Sequence, residues 1–383
     1  MAVRTVCVGD FLNKSQNWLE PKPDETYKQI TVRLWGKGLV LRAEVAGSQI
    51  VAARQLQVKA GQFLLSRIDA RHGACGLVPA SLDGALVSND FPCFDIDSKI
   101  ALPAYFAWYA RTENFITLCR QASEGSTNRV RLKESEFLRM PVHLPSLNEQ
   151  ERIVAKLDKV AGLVGERRKV IETAAHDAKA MLANAFRKII DGVPYRPMSE
   201  VAPLVRRPVE IEPDQSYPEL GVRSFGRGTF HKPPLVGSQL TWQKLFLIQK
   251  GDLVISNIKA WEGAVAVAQP EDHNRVGSHR YLTCVPVENI VTANFVWFYL
   301  QSQEGLEKVA AASPGSADRN RTLGQKSLGA IKVPVPPLDQ QRWFDRLQRQ
   351  VQQVEALRES AGGDVEALLP AMLHGVFSGE SFP

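Results

Sequence analysis

Two kinds of hydrophobic pattern alternate along the chain. From Ile153 the apolar residues Ile153, Leu157, Val160, Val164, Ile171, Ala174, Ala178 and Met181 recur mostly at steps of four and three, with charges between them and Arg167 interrupting the run. That period keeps one stripe on one side of a helix and marks a coiled-coil seam. Phe344, Leu347, Val351, Val354, Ala361, Val365, Leu368 and Met372 form a second such seam. Within it, Gly362-Gly363 predicts a break or a loosening, because glycine is a poor helix former. If continuous from Asn148 to Ile190, the first helix would extend about 60 Å. Asn148 and Asp339 each follow a proline and a leucine and are the expected N-caps. The other pattern fills residues 1–146 and 193–337. Short strand-like runs such as LVISNI and YLTCVPV, frequent Gly and Pro, and one aromatic helix-like stretch (AYFAWYARTENFITLC) predict compact α+β domains.

The chain states this plan twice. GSTNRVRLKESEFLRMPVHLPSLNEQERI begins at Gly125 and GSADRNRTLGQKSLGAIKVPVPPLDQQRWF at Gly315, an offset of 315 − 125 = 190. The same offset aligns YKQITVRLWGKG at Tyr27 with YPELGVRSFGRG at Tyr217, and GQFLLSRIDARHGA at Gly61 with GDLVISNIKAWEGA at Gly251. It slips by one residue before the Pro-rich runs, pairing Pro145 with Pro336. So many ungapped matches indicate an internal duplication, with two α+β domains each followed by a helix. Two seams in one chain predict that the helices pair with each other and hold the globular domains at a fixed separation.

Composition narrows the function. The 383 residues have a net charge of +6, and Tyr27 to Ala74 carries much of the excess, with Lys28, Arg33, Lys37, Arg42, Arg54, Lys59, Arg67 and Arg71 against Glu44 and Asp69. A clustered basic stretch suits a polyanion. No apolar run approaches membrane-spanning length and the start of the chain lacks a signal-peptide pattern, so the expectation is a cytoplasmic protein without membrane contact. Cys7, Cys75, Cys93, Cys119 and Cys284 form no CxxC and no cluster with histidine, which argues against a zinc site and predicts core thiols. There is no GxxxxGK[ST], no GxGxxG after a strand, no HExxH and no GxSxG. NDFP at Asn89 to Pro92 faintly matches the loop of amino-methyltransferases, but no glycine-rich cofactor loop accompanies it. No catalytic residue and no metal ligand set is predicted.

What recurs is basic and amide side chains on loops. Arg33 and Lys37 in one copy, and Arg223 and Arg227 in the other, stand among glycines that permit close approach of a partner. Arg67, Asp69 and Arg71 are replaced by Asn257, Lys259 and Trp261, side chains of types that read bases. Arg129 and Arg131 recur as Arg319 and Arg321, which suits phosphate contacts. A solvated surface charge is the plainer explanation for any one of them. A set present in both copies favours nucleic acid. A protein-binding scaffold and an enzyme with an unrecognised DNA-modifying centre are the competing functions.

The paired motifs, with the terminal EALLPAMLHGVFSGE, make the whole chain resemble the specificity subunits of type I restriction-modification systems. That resemblance implies target recognition domains at 1–146 and 193–337, and helical spacers at 147–192 and 338–383 that form an antiparallel coiled coil. Leu157, Val164 and Ile171 would face Val351, Val354 and Val365. It implies a non-catalytic subunit that reads a bipartite, asymmetric site in double-stranded DNA. Its partners would be two methyltransferase subunits on the outer helix faces, and restriction subunits. S-adenosylmethionine, ATP and magnesium would belong to those partners and no cofactor to this chain.

Overall fold

A computed structural model describes residues 3–125, 130–240, 244–315 and 321–378. Its helices are α1 (Pro103–Tyr109), α2 (Glu113–Gln121), α3 (Glu134–Arg139), α4 (Leu147–Ile190), α5 (Met198–Val201), α6 (Ala293–Gln301), α7 (Gln303–Ala311), α8 (Gln325–Ala330) and α9 (Leu338–Ser378). The chain divides into two compact units, residues 1–171 with 359–383, and residues 172–358. Each unit therefore owns one α+β domain, part of α4 and part of α9. The fold is α+β.

In the first unit a five-stranded sheet includes the hairpin Thr26–Val32 and Leu39–Ala46, and a four-stranded sheet is built around Phe63–Leu65 and Cys93–Ile96. Strand Val3–Cys7 pairs antiparallel with Pro141–Pro145, the strand that leads into α4. The core is aromatic, with Phe11, Phe63, Phe94, Phe106, Phe115 and Phe137 fully buried. Their rings meet largely edge to face, an arrangement the ring quadrupole favours.

The second unit repeats these pairings in register. Leu64 opposite Gly76 becomes Val254 opposite Ala266, and Val32 opposite Leu39 becomes Val222 opposite Thr229. Strand Tyr195–Pro197 pairs with Lys332–Pro334, ahead of α9. Both copies also share a lock where the long helix begins. Gln150, fully buried, donates through Nε2 to the carbonyls of Pro145 (3.0 Å) and Ile100 (3.2 Å), and its Oε1 accepts from the Leu102 amide at 2.8 Å. Gln341 does the same with Pro336 (2.8 Å), Ile290 (2.9 Å) and the Thr292 amide (2.9 Å). A buried amide that meets three backbone groups fixes the exit of the helix from the domain, which accounts for glutamine in both Pro-x-Leu-x-x-Gln entrances.

The helix starts differ from expectation. Asn148 and Asp339 lie inside the first turns, because α4 begins at Leu147 and α9 at Leu338. Ser146 precedes α4 and its Oγ accepts the Glu149 amide (3.4 Å), while the Pro337 carbonyl takes the amides of Gln340 and Gln341 before α9. Nor does Gly362-Gly363 break the helix: α9 runs without interruption through it and through Pro370.

The seam of α9 follows a four-three step, in a phase that sequence identity alone obscures, while that of α4 is interrupted between Val164 and Ile171. In α9 the inward positions are Phe344, Gln348, Val351, Glu355, Arg358, Gly362, Val365, Leu369, Met372 and Val376. Val354 and Leu368, expected in the seam, are 43% and 46% exposed, because the register carries Glu355 and Leu369 inward instead. In α4 Leu157 is buried, Ile153, Val160, Val164 and Ile171 are half-buried, and Met181 is 46% exposed beside an inward Leu182. Leu347 is half-buried against the core of its unit.

Within the first unit Ile153, Val154, Leu157, Val160 and Ala161 cluster with Leu369, Met372, Leu373 and Phe377. Leu157 therefore meets the end of α9 rather than Val351. Within the second unit Leu182, Ala185, Phe186 and Ile189 join Phe344 and Leu347. The start of α4 lies with the end of α9, and the end of α4 with the start of α9, which is antiparallel pairing. Each helix also ends on the domain of the other copy. Phe186 stacks against Phe295 (5.0 Å), Phe298 (4.8 Å) and Phe344 (5.3 Å), while Phe377 packs on Tyr105 (5.4 Å) and Tyr109 (5.6 Å).

Four of the five cysteines are buried and Cys7 is exposed, against the expectation that all are core thiols. Burial pushes Cys75, Cys93 and Cys284 up to about 12, so these thiols stay protonated at neutral pH and are poor nucleophiles.

Candidate nucleic-acid interface

In each unit one surface is built from a hairpin tip and a second loop joined by backbone hydrogen bonds. RLWGKG caps the hairpin of strands Thr26–Val32 and Leu39–Ala46, and RSFGRG caps that of Leu220–Val222 and Thr229–His231. The tips close where Arg33 donates its amide to Gly38 (2.9 Å) and Arg223 to Gly228 (3.0 Å). They fold onto the second loop through the amides of Trp35 and Gly36, which reach the carbonyls of His72 (2.8 Å) and Gly73 (2.9 Å). Phe225 and Gly226 reach Glu262 (2.8 Å) and Gly263 (3.0 Å) in the same way. Gly36 and Gly226 have φ of 64° and 63°, and a Cβ on them would come within 2.9 Å of the side chains of Arg111 and Gln301. Glycine is required there by conformation and by space.

The tips carry exposed cations, Arg33 and Lys37 in the first unit and Arg223 and Arg227 in the second. Arg223 donates to the Thr229 carbonyl at 2.7 Å and lies over the Phe230 ring (4.8 Å), and Arg227 lies over Phe225 (5.7 Å). Trp35 and Phe225 are themselves 61% and 70% exposed. Neither ring is among the candidate site residues expected from the sequence; their signal is an aromatic followed by Gly-basic-Gly at the same place in both copies.

The second loops have one backbone and different side-chain chemistry. Half-buried Arg67 pairs with Glu134, which also holds Lys14 at 2.5 Å. Burial alone would raise the Glu134 pKa, but hydrogen bonds from Lys14 and Arg67 hold it below the usual carboxylate range. The same position in the other copy is Asn257, whose Oδ1 is buried without a hydrogen-bond partner among the described residues. Arg71 Nε and Trp261 Nε1, also equivalent, are buried and unpartnered in the same sense. Lys259 pairs with Glu262 (2.5 Å) and sits over the Trp261 ring (5.3 Å). Hydrogen bonds from Lys259 and Ser224 keep Glu262 below the usual carboxylate range, although burial opposes them.

The recurring arginines diverge as well. Exposed Arg131 pairs with Asp90 (3.0 Å), which gives the NDFP loop a structural role. Arg321 turns inward, donating to the carbonyls of Ala310 (3.1 Å) and Ser313 (3.3 Å) and lying over Trp261 (4.9 Å). Arg129 and Arg319 lie outside the described residues. Among the described residues no group of three His, Cys, Asp or Glu could hold a metal ion, and no helix is long and apolar enough to cross a membrane.

No protein-family model matches this chain, and no curated protein matches its sequence. Solved structures do match its fold. A chain described for complex assembly and conformational transition of the type I R-M system is 20% identical and superposes with a TM-score of 0.68, covering 99% of this chain and 98% of that one. The HsdS subunit from Thermoanaerobacter tengcongensis is 19% identical with a TM-score of 0.56, covering 99% of this chain and 97% of its own. The likeness spans both α+β domains and both long helices, and it is a likeness of fold.

Proposed function

We propose that this chain is the DNA sequence-specificity subunit of a type I restriction-modification complex. Each α+β domain reads one part of a bipartite site in double-stranded DNA, and the long helices set how many unread base pairs separate the parts. The observation that carries this reading is a duplicated surface whose backbone is the same in both copies and whose second-loop side chains differ. A repeated backbone with cationic tips suits phosphate contacts that position the protein, while Arg67 and Arg71 against Asn257 and Trp261 suit unlike bases. An asymmetric site follows. The full-length likeness of fold to a chain of the type I R-M system and to an HsdS subunit supports the same reading.

The chain itself is non-catalytic. Two methyltransferase subunits dock on it and bring S-adenosylmethionine, restriction subunits use ATP and magnesium, and the complex works in the cytoplasm. The test is modified-base sequencing of DNA from cells that express the chain with its methyltransferase partner, against cells with the methyltransferase alone. A two-part motif seen only when the chain is present is the expected result. Identical modification in both cultures, together with DNA affinity that does not fall with salt, would replace this reading with a protein scaffold.

A further inference from the structure

Trp35 and Phe225 share a property that packing does not explain. Both adopt a left-handed backbone, with φ of 61° and 62°, although bulky side chains rarely occupy that region and Gly or Asn does so at little cost. Strain of this kind persists where surrounding structure enforces it, and it concentrates at ligand-contacting sites. Here the amides of Trp35 and Gly36, and of Phe225 and Gly226, are tied to the second loop, so each ring is presented from a fixed platform. The rings do not fill a core, being 61% and 70% exposed. Trp35 touches His72 with ring centroids 5.8 Å apart, and Phe225 lies under Arg227. Ile68 and Ile258 add exposed apolar surface to the two second loops, at 41% and 37%.

We infer that Trp35 and Phe225 are DNA wedges, each ring inserting at a base-pair step in the part of the site that its domain reads. This deepens the proposed function and rests on it. An apolar ring between bases gains stacking area and unstacks the step, while cations on both sides engage the flanking phosphates. Charge favours duplex DNA over a protein surface: Arg33 and Lys37 bracket one ring, and Arg223 and Arg227 the other. The nearby carboxylate of Glu262 is held by Lys259 and Ser224.

The experiment uses the chain assembled with its methyltransferase partner and a duplex carrying the mapped site, with 2-aminopurine placed at successive steps of each part. Trp35→Asn and Phe225→Asn remove the ring while keeping a residue that tolerates the left-handed backbone. Each substitution is expected to lower duplex affinity about tenfold and to abolish the 2-aminopurine brightening in one part of the site only. Phe225→Trp should restore both signals, and assembly measured by sedimentation should be unchanged. The inference is overturned if the asparagine variants assemble poorly while bound complexes keep full affinity, which would assign the rings to the methyltransferase. It is also overturned if affinity and brightening are untouched. Failure of the wild-type complex to bind any duplex would instead remove the proposed function beneath it.

Discussion

The second loops of the two domains share a backbone trace and differ in almost everything their side chains do. In the first, Arg67 is held by Glu134 and Arg131 by Asp90. In the second, the positions of Glu134 and Asp90 are taken by Gln325, the first residue of α8 as Glu134 is of α3, and by Arg280, so neither ion pair can form. Arg321 then stacks on Trp261 and donates to carbonyls, and Asn257 keeps a buried oxygen without a partner among the described residues. The scaffold around them is nearly invariant: the glutamine lock, the tied hairpin tip and the terminal phenylalanine recur. Duplication thus preserved what holds a domain and a helix together, and let the second-loop side chains diverge.

The strongest break of this symmetry is expected at the helix ends. Phe186→Ala removes a nearly buried ring from four aromatic neighbours and should cost about 4 kcal/mol. Phe377→Ala removes a half-buried ring and should cost about 2 kcal/mol. Denaturant unfolding measures both, and equal losses would mean that burial does not set the difference. Next comes the lock: Gln150→Ala or Gln341→Ala strands three backbone groups and should cost about 3 kcal/mol in either copy. A large effect in one copy only would show that the two locks are not equivalent.

Glu134→Gln sharpens the comparison through pH. The folded Glu134 pKa is lowered, so its ion pairs stabilise fully above the unfolded carboxylate range and are lost as pH falls through the folded value. The variant should be about 2 kcal/mol less stable at neutral pH and converge with the parent in acid, whereas the second domain, with the uncharged Gln325 there, has no such carboxylate to titrate. A gap that persists in acid would assign the loss to packing. Smallest is Arg131→Ala, with an exposed pair worth about 0.5 kcal/mol, against about 1 kcal/mol for Arg321→Ala. Thermal melts that reversed this order would contradict the inward placement of Arg321.

Much of this plan was legible in the sequence because duplication prints the same residues twice and period separates helix from sheet. The seam phase was not. Apolar identity drew Val354, Leu368 and Met181 into the stripe, while geometry carries Glu355 and Leu369 inward in α9 and Leu182 in α4. Gly362-Gly363 reads as a break because propensity is local; in the folded chain α9 stays helical through both glycines, held by the packing of its two ends, with Phe344 and Leu347 at one and Leu369, Met372 and Phe377 at the other. Candidate readers were visible as residue types, but their engagement was not. Glu134 lies 67 residues from Arg67, and Trp261 lies 60 from Arg321, so only the fold reveals that these arginines are held. The strain at Trp35 and Phe225 is not legible in the sequence, because φ is not written there.

The most direct test of two domains reading two unlike parts is modified-base mapping with three versions of the chain, each expressed with the methyltransferase partner: the parent, Arg71→Gln and Asn257→Ser. The account predicts a split, asymmetric motif in which each variant alters one part and leaves the other intact. A variant that altered both parts, or a parent motif that was continuous and palindromic, would contradict it.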